Sequence, residues 1–271
     1  MRLDEVRGFV FDVDGTLVHR SGPHTVEAID GAREVLDRIR SSGRTFAIFT
    51  NGSHKAPAGF AADLRAAGLP VDDRQVITPL CSVQAYLERR PEAAVLGFLT
   101  EDAHAYLESC GVDLVGGHNG DHRRVDAVFV AHTDWTGFDE LERAAHAVIG
   151  GAQLLTGSYV SAYAGADGPI LSRGAMVTAA IAKASGARPI VVGKPSRAAV
   201  REYARRLGAR PAEVAVVGDD LRLDVALGRL GGSTTVLVRT GITGDLDLAA
   251  VPDTHRPDLA VSNVKELLQW L

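Results

Sequence analysis

Phe9-Val10-Phe11-Asp12-Val13-Asp14-Gly15-Thr16-Leu17 is a short apolar run that breaks into two carboxylates and a glycine. A buried strand that delivers acids to a solvent-facing sheet edge has this pattern. Asp12 and Asp14 are two residues apart, so in extended chain both side chains leave the same face and can serve one reacting group. A stable core has no need of that arrangement. Asp-Gly is also a turn signal, with Thr16 supplying a hydroxyl; the chemical reading gains its weight from similar strand-to-turn pieces further along.

On the far side of this strand, residues 18–24 read as an exposed loop, and Thr25 can cap a helix with Glu27 in its first turn. Val26, Ile29, Leu36 and Ile39 mark its expected buried stripe, ended by Gly43. A second strand, 45–50, runs into Thr50-Asn51-Gly52-Ser53, and strand, helix, strand of this length predicts a right-handed βαβ unit in a parallel sheet. The same grammar returns late in the chain. Residues 189–193 read as a strand ending at Lys194-Pro195-Ser196, and 213–217 as one ending at Gly218-Asp219-Asp220, with Asp224 opening the next helix. Between them the strand and helix alternation continues, but no strand ends in acids, and the glycine-rich loops 116–120 and 157–168 interrupt it. The expected organisation is an α/β core from residues 1–78 and 187–271 with a separate α/β insert at 79–186.

Bulk properties narrow the function. Of 271 residues, 46% are hydrophobic and 23% charged, which is ordinary globular composition. A formal net charge of −5 argues against nucleic acid or an anionic membrane as partner and leaves small substrates. The charged start, Met1-Arg2-Leu3-Asp4-Glu5, is unlike a secretory signal, and no uncharged apolar run reaches the ~18 residues of a membrane span, so a cytoplasmic protein is expected. Cys81 and Cys110 are too far apart for a zinc knuckle or redox pair and are expected as free buried thiols. His118, His122 and His132 lack metal-ligand spacing and are read as solvated loop residues.

Four strand ends thus present polar groups: Asp12/Asp14, Thr50/Asn51, Lys194 and Asp219/Asp224. Open parallel α/β sheets bind ligands outside the carboxyl ends of their strands, which places these groups in one crevice. Two carboxylates ~4 Å apart repel by about 4 kcal/mol at an effective dielectric of 20, so Asp12, Asp219 and Asp224 converging require a cation. An all-oxygen donor set suits Mg²⁺ rather than zinc. Metal, fixed positive charge, an in-line nucleophile and a proton donor are what phosphoryl transfer needs, and an Asp carboxylate can be the nucleophile. Gly193-Lys194-Pro195-Ser196 is not a P-loop, because Arg188 stands where its first glycine would be.

In this order, DVDGT, the strand ending in TN, the GKPS lysine and GDDLRLD resemble the haloacid dehalogenase superfamily of phosphohydrolases. The large insert resembles the branch containing nucleotide, p-nitrophenyl phosphate and phosphoglycolate phosphatases. The likeness extends over essentially the whole chain. It implies a Rossmann-like, doubly wound parallel sheet core with an inserted smaller α/β cap domain, and a Mg²⁺-dependent phosphatase acting on small phosphorylated metabolites. Residue by residue it implies Asp12 as nucleophile and Asp14 as general acid and base, with Thr50 and Asn51 on the phosphoryl oxygens and Lys194 neutralising them and orienting Asp12. It further implies Mg²⁺ on Asp12, Asp219 and the main-chain carbonyl of Asp14, with Asp224 acting through metal-bound water and Asp220 beside them. Proteins of this kind are commonly homodimers, although no stretch of the chain identifies an interface.

The chain departs from the family at Leu223, where a Thr often precedes the last Asp, and in the insert at Gly157-Ser158-Tyr159 and Ser172-Arg173-Gly174. Tyr159, Tyr163 and Arg173 are candidates for reading an anionic or ring-bearing leaving group. Two other functions are weighed: a phosphoacceptor signalling module and a catalytically silent phosphate-binding protein. Asp14 and the long insert argue against the first, and the intact set of candidate residues against the second.

Overall fold

The computed structural model describes residues 3–20, 26–115, 123–134, 136–165 and 168–271. The chain forms two compact units, one from residues 1–50, 57–77 and 194–271, the other from 51–56 and 78–193.

The first unit is built on a six-stranded sheet: β1 (Gly8–Phe11), β4 (Thr45–Phe49), β5 (Val76–Ile77), β13 (Val214–Gly218), β14 (Thr234–Val238) and β15 (Leu259–Val261). Its order is β15-β14-β13-β1-β4-β5 and every pairing is parallel. All four residues of β1 are buried, as expected of a central strand covered on both faces. Phe9, Phe11, Ile48 and Val217 pack with Leu36 and Ile39 of the helix Ala32–Ser41 in one core. The chain winds from β1 outward through β4 and β5, then crosses back to β13, so the winding direction reverses between β1 and β13. Ligands of doubly wound sheets bind at such a switch point.

The second unit holds a five-stranded, all-parallel sheet of β6 (Ala94–Phe98), β7 (Asp113–Val115), β8 (Ala127–Val130), β9 (Gln153–Thr156) and β12 (Ile190–Val191), in the order β12-β9-β8-β6-β7. Leu96, Val128, Val130 and Leu154 form its core with Val177 and Ile181 of the helix Arg173–Ser185.

Several local expectations are corrected. Residues 189–193, expected as a core strand, pair instead at the edge of the second sheet, Ile190 with Leu155 and Val191 with Thr156. The backbone contact continues through Val192 N to Thr156 O and Gly193 N to Gly157 O. An apolar run of five residues specifies a strand, and nothing in it selects which sheet edge it joins. The first unit accordingly resumes at residue 194 rather than 187, and residues 51–56 fall in the second unit. The helix expected from Thr25 begins only at Ala32, because Val26–Ala28 (β3) pairs antiparallel with Val18–Arg20 (β2). Thr25 itself lies outside the described residues. Val26 and Ile29 match helical spacing, but the pairs Val18–Ala28 and Arg20–Val26 absorb that stretch into a hairpin. The glycine-rich stretch 157–168 likewise contains a strand, Ala162–Gly165 (β10), which pairs antiparallel with Gly168–Leu171 (β11).

Candidate active site

The site of the first unit is assembled from strand ends on either side of the switch point. After β1 the chain stays tied to β13, with Asp12 N donating to Val217 O at 2.9 Å. It then turns tightly, with Gly15 N donating to Val18 O and Leu17 N to Val13 O. Asp219 follows β13 directly, and the π-helical turn Leu221–Val225 returns Asp224 towards the same place.

Lys194 joins these groups. Its ammonium lies 2.5 Å from Asp12 Oδ1 and 2.6 Å from Asp224 Oδ1, and the residue is 3% exposed. One carboxylate oxygen from each of Asp12, Asp219 and Asp224 lies within 4.8 Å of the others. Burial pushes the Asp12 carboxyl above its ordinary range against the pull of Lys194, and it pushes Asp224 well up. Burial, followed by the charge of Asp12, raises Asp219 to about 7. Burial alone would lower Lys194, but Asp12 and Asp224 outweigh it and hold the ammonium above its usual value. Lys194 is therefore charged, and it offsets one of three carboxylates, those of buried Asp219 and Asp224 and half-buried Asp12, leaving two negative charges when all are ionised. That deficit and the all-oxygen donor set fit a divalent, oxygen-seeking cation, which Asp12, Asp219 and Asp224 are placed to hold.

The carboxylates are aimed by groups that carry no charge. Asp219 Oδ2 accepts from Ile242 N at 2.6 Å, its carbonyl accepts from Thr243 N, and Thr240 Oγ1 donates to Gly15 O. The turn 239–244 after β14 is thus a fourth wall that the sequence reading missed, since it holds no acid; its signal is the Thr-Gly pair Thr240-Gly241 at a strand end. A Cβ on Gly241 would sit 1.8 Å from Asp219 Oδ2, and one on Gly218 would sit 2.1 Å from Asp224 Cγ. Both glycines are space for a carboxylate. Gly241→Ala is expected to displace Asp219, destabilise the protein by about 1–3 kcal/mol and weaken divalent-ion binding. Thermal unfolding and metal titration check it; unchanged metal affinity would remove Gly241 from the site.

The remaining sequence candidates are placed as follows. Asp14 is exposed and its backbone bridges to Val18. Thr50 is buried after β4, with its N–H on Ile77 O, in the first unit, whereas Asn51 belongs to the second. Asp220 caps the π-helical turn, accepting from Arg222 N at 2.6 Å and Leu223 N at 3.3 Å, which gives its carboxylate a structural task. In the second unit Arg173 Nη1 meets the carbonyl and the carboxylate of Asp134, and Tyr159 and Tyr163 are exposed. Cys81 is buried and Cys110 half-buried, both as free thiols. His132 lies 3.5 Å from Asp134, while His118 and His122 are outside the described residues. Among the described residues no helix is long and apolar enough to cross a membrane.

Residues 9–113 match the family described as haloacid dehalogenase-like hydrolase, and residues 191–267 the one described as HAD-hydrolase-like. Together these spans contain every strand end of the site. The chain belongs to the haloacid dehalogenase-like hydrolases. It is 28% identical over 263 residues to the ribonucleotide monophosphatase NagD of Escherichia coli (strain K12), covering 97% of this chain and 98% of that protein. It is 25% identical over 264 residues to dihydroxyacetone phosphatase of Corynebacterium glutamicum (strain R), covering 96% of this chain and 90% of the other. The solved p-nitrophenyl phosphatase from Archaeoglobus fulgidus superposes with a TM-score of 0.86 at 26% identity, covering 98% of this chain and 100% of that one.

Proposed function

We propose that this chain, a phosphatase of the haloacid dehalogenase type, is a Mg²⁺-dependent phosphomonoesterase that cleaves small phosphorylated metabolites through an aspartyl-phosphate. The observation that carries this reading is the convergence of half-buried Asp12 with buried Asp219 and Asp224, with Lys194 hydrogen-bonded to Asp12 and Asp224. The names of its relatives, phosphatases of a ribonucleotide, of dihydroxyacetone phosphate and of p-nitrophenyl phosphate, support the substrate class. Cytosolic residence and a homodimer belong to the same proposal.

In this reading the Asp12 carboxylate attacks phosphorus and the ester P–O bond breaks. Asp14, on the solvent side of the turn, gives its proton to the leaving alkoxide, which departs as the alcohol. The resulting Asp14 carboxylate then takes a proton from water as that water attacks the phosphorus of phosphorylated Asp12, releasing orthophosphate and restoring both residues. Lys194 favours the ionised form of Asp12 against its burial and orients it. Thr50 and Asn51 are assigned to the phosphoryl oxygens. Asp12, Asp219, Asp224 and the main-chain carbonyl of Asp14 would hold Mg²⁺, whose charge balances that of the transferring phosphoryl group.

Purified protein is expected to release phosphate from p-nitrophenyl phosphate and from a subset of sugar phosphates and nucleoside monophosphates when Mg²⁺ is supplied. No turnover across a broad panel of phosphate esters would sink the reading.

A further inference from the structure

At the opposite end of the core strands lies a hollow of about 400 Å³ that the phosphatase reading does not use. Thr45 and Phe46, the first residues of β4, line it, together with Gln75 ahead of β5. Thr50 closes the far end of the same β4, so at ~3.3 Å per residue the hollow is about 16 Å from the phosphoryl end of that strand. One ligand of metabolite size held by its phosphate at Asp12 and Lys194 does not place that phosphate here.

Four of the eight residues lining the hollow are arginines: Arg40, Arg44, Arg74 and Arg206. The chain as a whole has 29 Lys and Arg among 271 residues and an acidic balance, so this is a local concentration of positive charge. Some of it has structural work. Arg206 pairs with the buried Glu202 and donates to the carbonyls of Arg74 and Val76. Arg44 donates to Leu3 O and Leu271 O, and Arg40 donates to Pro70 O while stacking on the Phe46 ring at 5.5 Å. The Arg206–Glu202 pair cancels one unit of charge, so the positive excess of the hollow lies first on Arg40 and Arg74. Arg40 and Arg74 meet no carboxylate among the described residues, and Arg74 is exposed. Guanidinium groups gathered around a concavity match the oxygens of phosphate groups bidentately. A hollow of this volume is within the range of small-molecule sites.

We propose that this arginine-lined hollow is a second anion site, separate from the catalytic one, that binds a linear chain of two or more phosphates, as carried by a nucleoside triphosphate or inorganic polyphosphate. Two guanidinium groups that meet no carboxylate among the described residues, Arg40 and Arg74, on one hollow favour a phosphate chain over a single phosphate, because a second phosphate can engage the second arginine. The site does not depend on the phosphatase reading, and its failure leaves that reading untouched.

The test is calorimetric titration of the full-length protein with tripolyphosphate and with ATP, in EDTA at low ionic strength. The wild type is expected to bind both, with orthophosphate weaker by about tenfold or more, and added salt is expected to weaken all three. Arg74→Glu, and separately Arg40→Ala, is expected to weaken tripolyphosphate binding by about tenfold, with kcat and KM for p-nitrophenyl phosphate unchanged when no tripolyphosphate is present. Arg74 is exposed, so its substitution spares the core, and Arg40→Ala, which also removes the stacking on Phe46, is checked for an unchanged melting temperature. If ATP binds and tripolyphosphate does not, the phosphate chain is not what is recognised. Wild-type affinity for tripolyphosphate in both variants, or no binding to the wild type, would overturn the proposal.

Discussion

Asp12→Asn abolishes turnover: phosphate release is expected to fall by about four orders of magnitude or more, the scale on which removing a catalytic nucleophile acts. The substitution keeps the shape of the side chain and leaves one oxygen to accept from Lys194, 2.5 Å from Asp12 Oδ1, so the fold persists and the loss is chemical. An amide oxygen does not displace an alkoxide from phosphorus at a useful rate. Asp14→Asn separates the two acids. Loss of a general acid and base lowers the rate by about 10²–10⁴-fold, yet Asp12 remains able to attack an ester whose leaving group needs no proton. In that variant p-nitrophenyl phosphate is expected to load Asp12 slowly, and the phosphoryl group to persist because the base that activates water is gone. Intact-protein mass spectrometry after rapid acid quench reads the adduct. Full activity in Asp12→Asn would remove it as the nucleophile. A phosphoprotein equally long-lived in the wild type would instead favour the phosphoacceptor signalling module.

What the sequence discloses here divides along a physical line. Charged residues at strand ends are legible, because burying Asp12, Asp219 and Asp224 together has no structural benefit and their types name the chemistry. The Rossmann-like alternation is legible for the same reason that β1 is entirely apolar: a central parallel strand meets helices on both faces. Sheet membership is another matter. Residues 190–191 satisfy every local criterion of a core strand, yet pair with β9, since pairing is a non-local choice among edges that look alike in sequence. Lys194 therefore lies beside Asp12 although the residues leading into it, 190–191, pair with β9 rather than with the core sheet. The turn around Gly241 was missed for the converse reason. It acts through an N–H, a hydroxyl and an absent Cβ, groups that almost any loop supplies, and only the 2.6 Å contact from Ile242 N to Asp219 singles it out. The sequence leaves the role of Asp220 open, because an acid next to Asp219 suits either a metal or a helix N-terminus, and its oxygen on Arg222 N shows the capping use.

Removing divalent ions is expected to abolish activity, and the pH dependence of restoring them is expected to report on Asp219. Burial and the neighbouring Asp12 raise this carboxyl from 3.8 to about 7, so between those values the folded state holds a proton that the unfolded chain has released. The folded state then binds more protons than the unfolded one, and by linkage the contribution of Asp219 to stability declines as pH rises from about 4 to about 7, then levels off. The raised Asp12 and Asp224 act in the same direction. A bound cation reverses this. It takes the ionised carboxylates, so below pH 7 it must displace the Asp219 proton, and its affinity is expected to drop about tenfold for each pH unit. Through mass action this corresponds to about 1.4 kcal/mol less stabilisation per unit at a fixed, near-saturating concentration. The melting temperature gained on adding Mg²⁺ to EDTA-stripped protein should therefore grow from about pH 5.5 to about pH 7 and then flatten. In Asp219→Asn the proton competition at that position is gone, so the metal-induced gain should be smaller and its slope with pH shallower. A gain that is independent of pH in the wild type, or that survives unaltered in Asp219→Asn, would show that the cation is held elsewhere and that Lys194 is the only charge serving the three acids.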